Sequence, residues 1–314
     1  MVRVEPLSLE WSPHACAALV AALSVVAFMR WRALSDDGSG ERERKQQPRA
    51  VPLALGPALA IAALPALAWS GAGATPFGVV AASALLPGLL AAVALGLCDD
   101  LLPRGLPPSV KFAGQCAAAA LLALGSGLPA EEAVVLGALA LVAANVSNTF
   151  DNADGACLLA PGAACLLSAH PAGAAVAALL PFNLARGGAR AYLGDSGSHL
   201  LGFLACCLHP WAWLGLVLPA IDLACVSVAR LRAGVAPWRG DRRHLAHRLQ
   251  RAGLGRMAVA SWLGLLGLLP WCAALGVGRL GLEPAQGAMG GAGACLALYA
   301  LLWRRGRSEA GRQA

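Results

Sequence analysis

Eleven apolar runs follow one another along this chain, and nearly all of its positive charge falls in alternate gaps between them. The runs cover roughly residues 12–31, 51–69, 76–98, 110–127, 132–147, 155–169, 172–186, 197–209, 211–230, 257–277 and 285–303. A full bilayer crossing takes about 20 residues, with about 17 a usual minimum. The runs at 155–169, 172–186 and 197–209 are short by that measure, and His209-Pro210-Trp211 separates the last of them from its successor. With the N-terminus outside, the odd-numbered gaps and the C-terminal tail hold every Lys and Arg except Arg3 and Arg279. Basic residues mark the cytoplasmic side of membrane proteins. The pattern predicts an all-α, polytopic integral membrane helical bundle of about 10–11 transmembrane helices, with the N-terminus outside and the C-terminus cytoplasmic.

Composition excludes the main rival class. The chain is 58% hydrophobic and 13% charged, whereas a soluble domain carries about a quarter charged residues. The surplus is spread along the whole length, so a soluble enzyme with one anchor does not fit. The net charge of +7 then reads as topology and attraction to anionic lipid, and no nucleic-acid partner is expected. Ten cysteines lack any C-x-x-C pair, and Cys16, Cys116, Cys165, Cys272 and Cys295 lie inside apolar runs. They read as small packing residues. No cleavable signal peptide is expected, because the first run lacks a basic leader and a clear small-residue cleavage site. The reading is one transmembrane catalytic unit over 1–314, with a motif-bearing core at about 42–256 and a basic tail at 304–314.

Acids gather at one face. Asp99, Asp100, Asp151, Asp154 and Asp195 all fall at cytoplasmic ends of apolar runs. An ionisable group at a membrane boundary is costly unless paired, solvated or bound to metal, so a site is the default expectation. A transporter would place acids near the midplane and often show an internal repeat; neither is evident here.

Four stretches carry the chemistry. In "LGLCDDLLPRGLPPSVKFAGQ", adjacent Asp99 and Asp100 can share a metal, or one can act as a base while the other binds; Lys111 opens the next run. In "NVSNTFDNADG", a fifth helix continued past the membrane would put Asn145, Asn148 and Asn152 on one face, with Asp151 beside it and Asp154 turned toward Gly155. Such amides and acids suit a base, a ribose or a metal-bound water. A helix cap explains one such residue but not seven polar ones in eleven. In "ARAYLGDSGSHLLGF", Gly194 and Gly197 flank Asp195 and Ser196, so the backbone can approach a phosphate. Asp195 is placed there as a hard oxygen ligand, with Arg190 nearby. In "WRGDRRHLAHRLQRAGL", His244 and His247 share a helix face at i and i+3. Amid arginines they suit phosphate better than zinc.

Together these motifs resemble the polyprenyl-phosphate N-acetylhexosamine-1-phosphate transferases, the glycosyltransferase family 4 superfamily. Its pattern is an Asp-Asp after the third helix, N-x-x-N-x-x-D-[GN]-x-D-G, G-D-[ST]-G-S and a late His-rich cytoplasmic loop. They stand here as Asp99-Asp100, Asn145 to Gly155, Gly194 to Ser198 and His244 to Arg248. A weaker match is Arg44 to Pro52. The resemblance implies a Mg²⁺-dependent (or Mn²⁺-dependent) phosphoglycosyl transferase in the bacterial inner membrane, its site facing the cytoplasm. A sugar-1-phosphate would pass from a UDP-sugar to undecaprenyl or another polyprenyl phosphate, releasing UMP.

Carried over residue by residue, Asp195 is the principal metal ligand, with Asp151 as a second. Asp99, Asp100 and Asp195 are catalytic, Asp99 being the candidate base. Asn148, Asp151, Asp154, Lys111, Arg190, His244, His247 and Arg248 bind substrate. Besides donor, acceptor and bilayer, a homodimer is compatible with the pattern. Gln47 stands where the family often has His, and Ala246 where a third late histidine usually stands. These two positions keep a non-catalytic, lipid-phosphate-binding relative in view. "DRRHLAHR" looks more like the N-acetylglucosamine branch than the muramoyl-pentapeptide branch. Asp222, alone in an apolar run, has no role in this pattern and is expected to pair with Arg230 or with a neighbouring helix.

Overall fold

The computed structural model describes residues 12–31, 35–36, 50–185, 188–236 and 243–310. Gln47 and most of the Arg44 to Pro52 match lie outside them. Helix α1 spans Pro13–Trp31; a two-residue strand β1 (Ser35–Asp36) pairs antiparallel with β2 (Val51–Pro52). Helix α2 (Leu55–Ser70) is followed by a hairpin of β3 (Ala72–Thr75) and β4 (Gly78–Ala81). Then come α3 (Ala82–Leu101), α4 (Pro108–Gly125), α5 (Ala130–Phe150), the short α6 (Ala156–Leu159) and α7 (Pro161–Leu167), and α8 (Pro171–Asn183). Helix α9 (Gly194–Cys207), a 3₁₀ turn at Ala212–Leu216, α10 (Val217–Arg232), α11 (Leu245–Arg251), α12 (Arg256–Arg279) and α13 (Pro284–Ala310) complete the chain.

Each predicted apolar run contains helix. Among the described residues, six helical stretches are long and apolar enough to cross a membrane: Pro13–Arg30, Ala82–Leu101, Ala130–Phe150, Ala212–Arg232, Arg256–Arg279 and Pro284–Arg304. Leu55–Ser70, Ala156–Leu167 and Pro171–Asn183 are apolar but shorter. The run at 155–169 is broken at Ala160, just before Pro161, where proline lacks the N–H that would continue the helix. All ten cysteines are free thiols, five of them buried.

The third run differs from its predicted bounds, and the difference matters for the site. Residues 76–81 belong to the hairpin because Gly71 and Gly78 take positive φ. Thr75 also closes the turn, its Oγ1 donating to Gly78 O at 2.9 Å and accepting from Phe77 N at 3.2 Å. Helix α3 therefore starts later and runs through Asp99 and Asp100 to Leu101. In an α-helix, successive side chains point about 100° apart, so these two adjacent carboxylates serve different partners.

Helix α9 is the axis of the bundle. Ser196 through Cys207 are all buried, the polar side chains in the first turns and the apolar ones after them. The main core includes Leu55 and Leu59 of α2, Leu85 and Leu89 of α3, Leu122 of α4 and Leu136 of α5, together with Leu200 and Phe203 of α9. Its neighbours approach at glycine. A Cβ on Gly96 of α3 would overlap the Ser196 backbone, and one on Gly56 of α2 would overlap Ser196 Oγ and Gly197 N. Close helix approach through small residues is how membrane bundles gain packing energy. A second core joins the end of α5 to α10–α13 through Phe150, Leu218, Leu245, Leu249, Val259, Leu263 and Tyr299.

Candidate active site

The C-terminal ends of α3 and α5 and the N-terminal ends of α4 and α9 meet at one end of the bundle. The Lys111 amine of α4 is ion-paired with Asp195 of α9 and lies 3.5 Å from Asp99 Oδ2 of α3. Asp99 Oδ1 accepts from Leu106 N at 2.7 Å. Side-chain exposure is 13% for Asp99 and 22% for Lys111 and Asp195, so the cluster faces an opening without being fully solvated. Two carboxylates from different helices thus share one cation.

Asp100 turns the other way. Its Oδ1 accepts from Asp195 N at 2.9 Å, and its Oδ2 accepts from Ser196 N at 3.0 Å and Ser196 Oγ at 2.8 Å. It caps the first turn of α9 from another helix, satisfying backbone donors that a helix start leaves unpaired. Gly194 has φ +66°, and a Cβ there would lie 2.7 Å from Asp100 Oδ2. Glycine is required both for the turn and for this approach. The reading of Asp99 and Asp100 as one shared pair is thereby refined: Asp99 faces the cation, and Asp100 sets the position of Asp195.

One turn deeper, the same two helices repeat the contact. Gln115 (Lys111 + 4) and His199 (Asp195 + 4) meet at 3.0 Å through Gln115 Nε2 and His199 Nε2, both buried. This second rung holds α4 against α9 in register. Sequence reasoning did not find it, although the equal four-residue spacing was available.

The "NVSNTFDNADG" stretch divides by function. Asn148 Nδ2 reaches Ser198 Oγ at 3.3 Å and ties α5 to the first turn of α9. Asn145 Nδ2 instead donates to Leu141 O, and Asn152 Nδ2 to Thr149 O, both at 2.9 Å. The expected single face of three amides does not form, because α5 ends at Phe150 and Asn152 lies in the following turn. Asp151 closes the helix, its N–H donating to Ser147 O and Asn148 O. Asp154 is held by Ala189 N at 3.3 Å and by Arg256 Nη1 at 3.2 Å. Gly155 N donates to Asn183 Oδ1, and Asn183 Nδ2 donates to Ala191 O. The stretch is therefore fastened to the 188–192 loop that leads into Gly194. That loop is fastened in turn to residues 52–55 by Tyr192 N→Pro52 O at 2.9 Å and Leu55 N→Tyr192 O at 3.0 Å. Arg256 and Asn183 were both missed from sequence; Arg256 read only as one more basic residue of its loop.

The late motif sits on the second core. His244 precedes α11 in an extended conformation and is buried, so it does not share a helix face with the half-buried His247. Its Nδ1 lies 2.6 Å from Asp222 Oδ2. Ala246 packs into the core, where its methyl group serves packing. The Arg248 guanidinium lies 3.6 Å from the centre of the Trp303 ring, and its Nε donates to Arg243 O at 2.9 Å. Arg190 is exposed. The structure thus joins Asp99, Asp100, Lys111 and Asp195 in direct contact, with Asn148 one residue removed. Asp154, His244 and Arg248 each have partners of their own outside that cluster.

Among the described residues, no three His, Cys, Asp or Glu side chains converge as a metal cage. Asp99 and Asp195 offer carboxylate oxygens around one cation position, filled here by the Lys111 amine. Two carboxylates, with water and phosphate completing the shell, are a usual donor set for Mg²⁺. Asp100, with both oxygens taken by α9, is not part of that set.

The region that contains this cluster is similar to known sequences. Residues 82–211 match the family model described as Glycosyl transferase family 4. A segment is 33% identical over 99 positions to the undecaprenyl-phosphate alpha-N-acetylglucosaminyl 1-phosphate transferase of Escherichia coli strain K12, covering 26% of this chain and 27% of that one. The protein of the same name from Haemophilus influenzae is 29% identical over 129 positions, covering 32% of this chain and 36% of its own. The one from Pasteurella multocida is 34% identical over 79 positions, covering 21% and 22%. The chain thus spans about a quarter to a third of the length of these relatives.

Proposed function

We propose, from the glycosyl transferase family 4 match over residues 82–211, that this chain transfers a sugar-1-phosphate from a UDP-sugar to a polyprenyl phosphate. The observation that carries the reading is the Lys111 amine set between Asp99 and Asp195 at the end of an apolar bundle. Two phosphate-bearing substrates must approach each other there, and their repulsion is the main barrier to be met. A lipid acceptor calls for a site at the membrane boundary, and a nucleotide donor for one open to water.

In the reaction, a lipid phosphate oxygen bonds to the β-phosphorus of the donor, the bond from that phosphorus to the bridging oxygen breaks, and UMP leaves with the electron pair. Asp99 takes the proton that a singly ionised acceptor still carries. Lys111 neutralises charge between the two phosphate groups. Asp195, held in place by Asp100 through the first turn of α9, orients the reacting end. Asp195, with water and phosphate oxygens, would hold Mg²⁺, which would supply charge neutralisation and polarise the phosphoryl group. Asn148, Asp151 and Asp154 line the donor side, His247, Arg248 and Arg190 offer donors to phosphate, and His244 contacts the same substrate. N-acetylglucosamine-1-phosphate is the group proposed, supported by the names of the three relatives and by the late motif.

The site is proposed to face the cytoplasm of a bacterial inner membrane, with about 10–11 crossings, the N-terminus outside and the C-terminus inside. The charge asymmetry supports this. A fluorescent protein fused after Ala314 is expected to fluoresce, and alkaline phosphatase fused there to stay inactive; active phosphatase would reverse the orientation. For the chemistry, purified protein in lipid discs should be given undecaprenyl phosphate, Mg²⁺ and sugar-labelled donor. Label from UDP-N-acetylglucosamine is expected in the organic phase, and none from UDP-muramoyl-pentapeptide. Label that stays in water with both donors overturns the reading.

A further inference from the structure

Asp222 lies in α10, within a helical stretch apolar enough to cross a membrane, and is 1% exposed. Burying a carboxylate is costly unless charge-assisted hydrogen bonds replace its water. Three groups supply them. Asp222 Oδ2 meets His244 Nδ1 at 2.6 Å, and Oδ1 accepts from Leu245 N at 2.9 Å, capping α11, and from Tyr299 Oη of α13 at 2.8 Å. An ionised carboxylate only accepts, so the hydrogen of the His244 ring must sit on Nδ1. Nε2 is then a hydrogen-bond acceptor, the ring nitrogen left for a ligand.

Helix α13 acts on this region twice. Tyr299 fixes Asp222, and its ring stacks on Trp303 with centres 5.5 Å apart and planes 24° apart. The Trp303 ring in turn carries the Arg248 guanidinium at 3.6 Å. One face of one helix therefore sets both the His244 ring and Arg248, the two ends of the late motif. None of these residues falls within the family match, which ends at 211.

We propose that Asp222, Tyr299 and Trp303 are positioning residues that hold two groups preformed for the nucleotide substrate: His244 Nε2 as an acceptor for one of its hydroxyls, and Arg248 as a donor to its diphosphate. This rests on the transferase reading given above. Partners that orient a ligand-contacting histidine typically matter ten- to a hundredfold. Asp222→Asn is expected to weaken UDP binding, measured calorimetrically in detergent, by about tenfold or more, and to raise KM for the UDP-sugar more than it lowers kcat. Tyr299→Phe keeps the ring and the Leu245 cap, and is expected to show the same trend at about threefold, a fraction of the roughly tenfold effect. Trp303→Leu should weaken UDP without changing the His244 contact.

The decisive arm is a double-mutant cycle. If Asp222 acts through His244, Asp222→Asn in a His244→Gln background adds nothing to the loss of UDP affinity. Additive losses, or folded Tyr299→Phe and Asp222→Asn proteins that bind UDP like the wild type, overturn the proposal. UDP binding is read without turnover. Wild-type UMP release with unaffected Asp222 variants sinks this inference and leaves the transferase reading intact. Absent UMP release with UDP affinity that tracks Asp222 and His244 sinks the transferase reading instead, and the nucleotide-diphosphate site stands.

Discussion

Replacing Lys111 by methionine is expected to cut sugar-phosphate transfer by about a hundredfold or more, as loss of a preorganised charge in an active site commonly does. The fold should survive, because methionine keeps most of the apolar stem and the pair is partly exposed. The amine also occupies the position between Asp99 and Asp195 that a divalent cation would favour. Without it, two neighbouring carboxylates face each other, so Lys111→Met should bind Mg²⁺ or Mn²⁺ more tightly than the wild type in the absence of substrate. Titration of Mn²⁺ by electron paramagnetic resonance checks this. Weaker transfer with tighter metal is the expected combination; unchanged transfer would remove Lys111 from the chemistry.

The second large effect separates the two adjacent aspartates. Asp100→Ala removes the acceptor for Asp195 N, Ser196 N and Ser196 Oγ in one step. Each hydrogen bond to a charged group contributes about 1.5–3 kcal/mol, and donors left unsatisfied add a further cost. A loss of about 3–5 kcal/mol in stability, together with abolished transfer, is the expected result. Asp99→Ala gives up the Leu106 N bond and the partly exposed contact to Lys111. It should lose activity with a much smaller shift in unfolding temperature. Thermal unfolding in detergent, beside the transfer assay, distinguishes them. Equal destabilisation by both would contradict the division of roles.

Much of this site was legible in the sequence because charge is scarce in the chain. Against apolar runs, Asp99, Asp100, Lys111 and Asp195 stand out individually, and positive-inside bias assigns them one face. What could not be read is direction. The hairpin at 72–81 rests on Gly71, Gly78 and the Thr75 turn, which look like ordinary punctuation inside a long apolar stretch. It shifts the start of α3, while Asp99 and Asp100 part company because successive helical side chains point about 100° apart. Helical spacing extended through Asn152 failed because α5 stops two residues earlier. Partnerships between distant residues were also out of reach: Asp154 with Arg256, Gln115 with His199, Asp222 with His244 and Tyr299. For Asp222 a signal existed, an unpaired acid in an apolar run, and the structure supplies its partners on neighbouring elements rather than Arg230. Ala246 read as a missing histidine, whereas its position is one of core packing.

The most direct test of the central claim is release of UMP by membranes containing this chain, supplied with UDP-N-acetylglucosamine, polyprenyl phosphate and Mg²⁺, beside membranes containing Asp195→Ala. The account predicts UMP that depends on the lipid acceptor and is lost in the variant. UMP no higher than in the Asp195→Ala control, across several UDP-sugars, would contradict it.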